Sequence, residues 1–272
     1  SLTIGVNRRR GRPPISVIRV VNYRTVDMTR VTRVSRLIDL IVRRQLTVEQ
    51  AADEVEKIEA SPHPHSFRVA VLGWAMLGCA IVIQLGGSPL AGLISMVSTF
   101  ALMYANRYLS LNRLPAFFQQ VVGGFIAAAW ALLAFVVLGD SFVAIQPSSL
   151  VAAGIIVLLA GLTLVGAIED AITGFPVTSA GRGVETLILT GGVLGGISIA
   201  LSLFDRLGFS APPIDPSIAG TAAAPIAVIA AGVGAAGFAV ASYAPVRATL
   251  LSVAVGAIGM LLFQIVMAGG FG

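Results

Sequence analysis

The sequence predicts an all-α fold, a polytopic membrane helix bundle with a helical hairpin before it. Hydrophobic residues make up 56% of the 272 residues and charged residues only 11%, whereas soluble domains average about 25% charged residues. The mean hydropathy is +0.91. Seven apolar runs follow residue 66, and each is close to the roughly 20 residues that cross the hydrocarbon of a bilayer. These observations indicate a membrane protein with several spans.

The basic residues predict the orientation of the chain in the membrane. Of the 18 lysines and arginines, 13 precede residue 69. With the N-terminus in the cytoplasm, 17 basic residues lie on the cytoplasmic side and only Arg206 lies outside, as the positive-inside rule requires. The chain also has a high isoelectric point. This reflects its membrane topology and does not indicate a nucleic-acid partner. We expect a multi-pass protein of the inner (plasma) membrane, in contact with lipid, with a cytoplasmic N-terminus.

The runs divide the chain into three predicted domains. Residues 1–66 form an N-terminal cytoplasmic basic and amphipathic helical region, residues 67–204 a first membrane domain of five helices, and residues 205–272 the start of a second membrane domain with two helices. The seven predicted spans are residues 67–86, 89–106, 116–138, 149–169, 184–204, 219–243 and 247–268.

The N-terminal region contains signals for two helices after a basic lead-in at residues 1–26. Asp27 is placed to cap a basic amphipathic helix, and Thr47 with Gln50 forms a capping box that starts an acidic helix ending near Ala60. A basic helix beside an acidic one predicts an antiparallel hairpin. An amphipathic segment lying on the membrane is the alternative, and it is disfavoured because anionic lipid would repel the acidic helix.

A proline- and histidine-rich segment, Pro62-His63-Pro64-His65, follows the hairpin. Two prolines one residue apart stop a helix, so the segment is predicted to be a rigid elbow. Its two histidines could bind a metal, but they are the only histidines, and the single cysteine, Cys79, lies inside an apolar run. We therefore expect no metal site of the usual ligand number, and nothing in the sequence implies a cofactor.

Four charged residues lie close together where the fourth and fifth runs meet: Glu169, Asp170, Arg182 and Glu185. Ionisable groups at the edge of a bilayer are costly and by default indicate function. Helical spacing places Glu169 on the face of Gly161 and Glu185 on the face of Gly192, so both glutamates are expected to face the bundle interior. A carboxylate there could take up a proton or hold an ammonium group. Alternatively, the four charges pair with each other and anchor the hairpin at the interface.

The fifth run carries two overlapping GxxxG pairs, Gly191 with Gly195 and Gly192 with Gly196. Small residues at this spacing let membrane helices approach closely, because lipid provides no hydrophobic drive for helices to associate. The run is therefore predicted to pack tightly against a neighbouring helix.

Two stretches resemble the actinobacterial threonine/serine exporter family: VNYRTVDMTRVTRVSRLIDLIVRRQLTVEQAADEVEKIEASPHPH, and LLAGLTLVGAIEDAITG followed by GRGVETL. The resemblance extends from about residue 17 to residue 268, with Asp170, Gly174 and Arg182 as matching positions. The family pattern has Pro-Gly where this chain has Ala160-Gly161, so a proline break in the fourth span is not expected here.

This resemblance implies ten helices arranged as two inverted five-helix repeats, a common transporter plan. The chain would then be a fragment without the end of its second membrane domain. The resemblance also implies export of threonine and serine, driven by protons, with no enzymatic activity. The alternatives are a dicarboxylate exporter of related fold, a membrane hydrolase that uses the acidic cluster, and a scaffold whose N-terminal helices bind a partner. Assembly into a homo-oligomer stays open.

Overall fold

The computed structural model describes residues 2–6, 15–19, 27–138, 147–158, 161–209 and 222–269. These residues form ten helices and one pair of short strands, which confirms the predicted helical membrane bundle. Within them, six helices are long and apolar enough to cross a membrane, or seven if one bent pair of helices is a single span. The chain divides into two compact units, Ser1–Ser61 and Pro62–Gly272.

The first unit begins with a strand pair where the sequence predicted only a basic lead-in. Strand β1, Leu2–Val6, pairs antiparallel with β2, Ile15–Arg19. Both strands contain β-branched residues, which favour extended backbone, so the signal was present in the sequence. The rest of the lead-in, residues 7–14 and 20–26, lies outside the described residues.

The two predicted helices of this unit are present with their predicted caps. They are α1, Met28–Val42, and α2, Val48–Ala60. The Asp27 side chain accepts a hydrogen bond from the Arg30 backbone N–H at 3.0 Å. Thr47 and Gln50 form both hydrogen bonds of the capping box. The Arg30 guanidinium also donates to the Ser61 carbonyl at 2.7 Å, so the start of α1 is tied to the end of α2.

The second unit contains the eight apolar helices. They are α3 Phe67–Gln84, α4 Pro89–Leu111, α5 Ala116–Leu138, α6 Pro147–Leu158, α7 Gly161–Ile172, α8 Pro176–Arg206, α9 Ala224–Ala241 and α10 Val246–Ala268. Helix α3 packs against α4 and α9, and α5 packs against α4, α6 and α8. No residue of α10 is buried, although α10 packs on α9. Residues 139–146 and 210–221, which include parts of two predicted loops and the start of the sixth predicted span, lie outside the described residues.

In the described residues, the fourth predicted span consists of two helices, α6 and α7, whose axes differ in direction by 52°. Residues 159 and 160 between them lie outside the described residues. Gly161 is the first residue of α7, and a glycine inside a helix costs about 1 kcal/mol relative to alanine. The helix is therefore weak at this point even without the proline of the family pattern.

The fifth predicted span begins earlier than expected. Helix α8 starts at Pro176, a favourable first-turn residue, and continues for 31 residues. At 1.5 Å per residue it is about 46 Å long, more than the roughly 30 Å of the hydrocarbon core. Arg182, which was predicted to lie in a loop, therefore lies in the second turn of a helix that extends past the hydrocarbon.

Close packing of α8 on α5 depends on one of the two glycine pairs. A Cβ atom added at Gly192 would lie 3.0 Å from the Phe117 carbonyl oxygen, and one added at Gly196 would overlap the Val121 carbonyl oxygen. The other pair, Gly191 and Gly195, has open space around it. One face of α8 thus meets the α5 backbone directly.

Gly196→Ala should lower the stability of the protein, whereas the neighbouring Gly195→Ala should not. The added methyl group at residue 196 must displace the α5 backbone, and overpacking of this kind costs about 1–3 kcal/mol. Thermal unfolding of the two variants in one detergent would measure the difference. Equal melting temperatures would show that α5 and α8 are not held at backbone contact.

Candidate functional site

The site is built at the sharp turn between α7 and α8. Gly174 has a φ of +90°, the left-handed conformation that commonly ends a helix. The Phe175 backbone N–H donates to the Asp170 carbonyl at 2.7 Å, and the Thr173 hydroxyl donates to the Glu169 carbonyl at 2.8 Å. The carbonyls of Glu169 and Asp170 in the last turn of α7 are therefore satisfied, and the chain reverses within three residues so that α8 packs against α7.

Asp170 and Arg182 meet across this turn. The Arg182 Nη1 atom lies 3.0 Å from Asp170 Oδ2, and the side chains are 39% and 21% exposed. The Oδ2 atom is shielded from solvent and receives no hydrogen bond of good geometry from the described residues. The contact is therefore a partly buried ion pair, and the arginine N–H does not point along the line that joins the two atoms.

Gly166 makes room for the guanidinium. A Cβ atom at this position would lie 2.6 Å from Arg182 Nη1, and Gly166 lies one helical turn before Asp170 on the same face. Thr186 lies one turn after Arg182 on α8, and its buried hydroxyl donates to the Arg182 backbone carbonyl at 2.9 Å. Neither residue was predicted to belong to the site, although helical spacing places Gly166 beside Asp170 on α7.

The prediction that Glu169 and Glu185 face the bundle interior is wrong, since both side chains are exposed. For Glu169, the α7 face that it shares with Gly161 is itself exposed, since Val165 on that face is 61% exposed. Glu185 does share a face with Gly192, but it lies about 10 Å earlier along α8. Gly192 already packs against the first turns of α5, so Glu185 lies beyond the end of that helix.

The carboxylates of α7 lie where a helix is least favourable for them. Glu169 and Asp170 are in the last turn, at the negative end of the helix dipole, where an anion typically costs about 0.3–1 kcal/mol. The Arg182 guanidinium offsets this cost for Asp170. Helix stability therefore does not account for these acids, whereas a guanidinium beside a carboxylate can bind a carboxylate, an ammonium group or a proton.

A metal centre is not evident at this turn or elsewhere in the described ranges. No group of three or more histidine, cysteine, aspartate or glutamate side chains in those ranges is arranged to hold a metal ion.

Comparison with known proteins gives consistent matches. A family model described as "Putative threonine/serine exporter" matches residues 1–204. The "Threonine/serine exporter" of Corynebacterium glutamicum is 39% identical over 242 residues, which cover 89% of this chain and 49% of that protein. The "Probable threonine/serine exporter" of Mycobacterium tuberculosis is 33% identical over 270 residues, covering 96% and 49%. The chain thus spans about half the length of these curated relatives. No solved structure gives a significant match.

Proposed function

Because the chain belongs to the threonine/serine exporter family, we propose that it is part of a secondary transporter that exports threonine and serine from the cytoplasm. The observation that most directly supports this function is the Asp170–Arg182 ion pair at the end of a hairpin of membrane helices. We therefore propose that the protein is a transporter and not an enzyme. The distribution of basic residues supports an inner-membrane location with the N-terminus in the cytoplasm.

The ion pair is complementary to a small zwitterion. The substrate carboxylate can compete with Asp170 for the Arg182 guanidinium, which presents several donors to an anion. Asp170 is then free to bind the substrate ammonium group. One ion pair is replaced by two, and no uncompensated charge is left at the edge of the bilayer, where such a charge is expensive.

Proton coupling would use the carboxylates around the same turn. Asp170 can take up a proton in a state in which it pairs neither with Arg182 nor with a substrate ammonium group, so that protonation and amine binding alternate on one carboxylate. Glu169 and Glu185 are exposed and belong to the same hairpin, so they are placed to pass protons between Asp170 and bulk water. This assignment accounts for the three acids without any group from outside the hairpin.

Threonine flux in proteoliposomes that contain the full-length protein tests this proposal. Flux should depend on an imposed pH gradient and fall about tenfold or more in Asp170→Asn, the loss expected when a charge-assisted contact of about 1.5–3 kcal/mol is removed. Glu169→Gln and Glu185→Gln should alter the response to the gradient. Glu56→Gln, an exposed acid of α2, is the matched control.

Three outcomes would contradict the proposal. Absence of threonine and serine flux in the wild-type protein would remove the substrate assignment. Flux of a dicarboxylate in its place would favour the related exporter class. Wild-type flux in all three carboxylate variants would reduce the charges of the hairpin to interfacial anchors.

A further inference from the structure

The segment Pro62-His63-Pro64-His65-Ser66-Phe67, which we call the strap, contacts a distant turn. The strap is non-helical up to Phe67, the first residue of α3, as its two prolines dictate. The rings of His63 and His65 both stack on Tyr243, with centroid distances of 4.6 and 4.8 Å and interplanar angles of 21° and 30°. The only two histidines of the chain therefore contact one tyrosine, which lies between α9 and α10.

A hydrogen bond reinforces the stacking. His65 Nε2 lies 2.8 Å from the Val240 carbonyl oxygen, and since a carbonyl only accepts, the ring nitrogen is the donor. Val240 belongs to the last turn of α9, and its carbonyl also accepts from the Tyr243 backbone N–H at 3.1 Å. The strap thus contacts both the side chain and the backbone of the α9–α10 turn.

This turn has a backbone conformation that needs support. Tyr243 has a φ of 56°, in the left-handed region that residues with bulky side chains rarely adopt. Such conformations persist only where the surroundings stabilise them. Here the two imidazoles and the His65 hydrogen bond stabilise the Tyr243 backbone conformation. The turn is therefore expected to relax when the strap leaves it.

The strap also contacts α4 through its last residue. The Phe67 ring meets the Tyr104 ring edge to face at 5.8 Å, and the Arg107 guanidinium lies 4.1 Å from the Phe67 ring centroid. Tyr104 and Arg107 lie in the last two turns of α4. The strap therefore connects the end of α4 with the α9–α10 turn, at the end of the bundle that the charge distribution assigns to the cytoplasm.

We propose that the strap is a conformational latch, which holds the ends of α4 and α9 together in the state described here and releases them in a second state. Stacked rings and exposed cation–π contacts are individually weak. Several together are comparable with the small free-energy differences that separate two populated conformations. The latch is separate from the α7–α8 turn and does not depend on the identity of the substrate.

Hydrogen exchange of the full-length protein in lipid nanodiscs tests the latch. In His65→Ala, the backbone amides of residues 242–244 should exchange about tenfold faster than in the wild-type protein, and Tyr243→Ala should have a similar effect. Tyr108→Ala, an exposed aromatic residue of α4 that is not in the strap, is the matched control. His65→Phe keeps a ring for stacking but removes the donor, and should give an intermediate rate.

Two results would overturn the latch. The first is that the backbone amides of residues 242–244 exchange at the wild-type rate in both alanine variants. The second is faster exchange throughout α3 and α9 in His65→Phe as well, because the strap would then be a general part of the folded structure and not a local latch.

A second readout follows the α4 end directly. A cysteine placed at Asn106 in a Cys79→Ser background should react with a membrane-impermeant maleimide about tenfold faster when His65→Ala is added. The same rate with and without His65→Ala would show that the strap does not control this end of the bundle, and would overturn the proposal.

Discussion

Arg182→Ala should reduce threonine flux by roughly 10- to 100-fold, because a charge-assisted contact contributes about 1.5–3 kcal/mol and each 1.4 kcal/mol is a factor of about ten. Without the guanidinium, the shielded Asp170 Oδ2 atom has no cation beside it at the negative end of α7. The initial rate of flux as a function of threonine concentration would show the loss, and the apparent KM should rise.

Matched arginine variants separate a specific role from a general loss of charge. Arg247→Ala removes an exposed arginine from the first turn of α10 and should leave flux near the wild-type value. Arg182→Lys keeps the charge but lacks the planar guanidinium with its paired donors. Its threonine flux should lie between that of the wild type and that of Arg182→Ala. Since the pair is partly exposed, its loss should cost only about 1 kcal/mol of stability, and size-exclusion profiles should stay monodisperse. If Arg182→Ala transports as well as Arg247→Ala, the ion pair is only an anchor.

Gly166→Val should impair transport nearly as much as the loss of Arg182, although residue 166 carries no functional group. A Cβ atom there would lie 2.6 Å from Arg182 Nη1, so the guanidinium must leave its position against α7 and the contact with Asp170 is lost. Gly183→Val is the matched control, since a Cβ atom at Gly183 meets nothing within 4 Å. The same flux assay, run on both valine variants, measures the effect.

A double variant shows whether Gly166 acts through the arginine. In the Arg182→Ala background, Gly166→Val should cause little further loss, because residues that act through one contact are not additive. If Gly166→Val reduced flux in that background as much as it does alone, valine would act by disturbing the packing of α7 and not by displacing Arg182. Wild-type flux in Gly166→Val alone would show that the position of the guanidinium is not critical.

Much of the fold could be predicted because its signals are local. The apolar runs predict α3, α5 and α10 to within about two residues at each end, since the length of an apolar span is a property of a short stretch of sequence. The strand pair and the early start of α8 were missed, although β-branched residues and Pro176 were visible. The break near Gly161 was not expected because no proline is present.

The site could be predicted only in part. Sequence analysis identified Asp170 and Arg182 as candidates because charges at a membrane edge are rare. The role of Gly166 was missed, since a glycine in an apolar helix is ordinary until the arginine is seen to lie against it. Helical spacing pointed to the two glutamates as the inward-facing charges, whereas both are exposed and the ion pair is formed by Asp170 and Arg182.

By itself, the sequence determined that the chain is a bundle of membrane helices, where α3, α5 and α10 begin and end, and that four of its charges lie close together at one hairpin. Only the tertiary structure decided which charges meet. Helical periodicity fixes directions around one straight helix, but the turn at Gly174 and the point where α5 begins set the distances between helices. Ion pairing depends on those distances, and no single stretch of sequence specifies them.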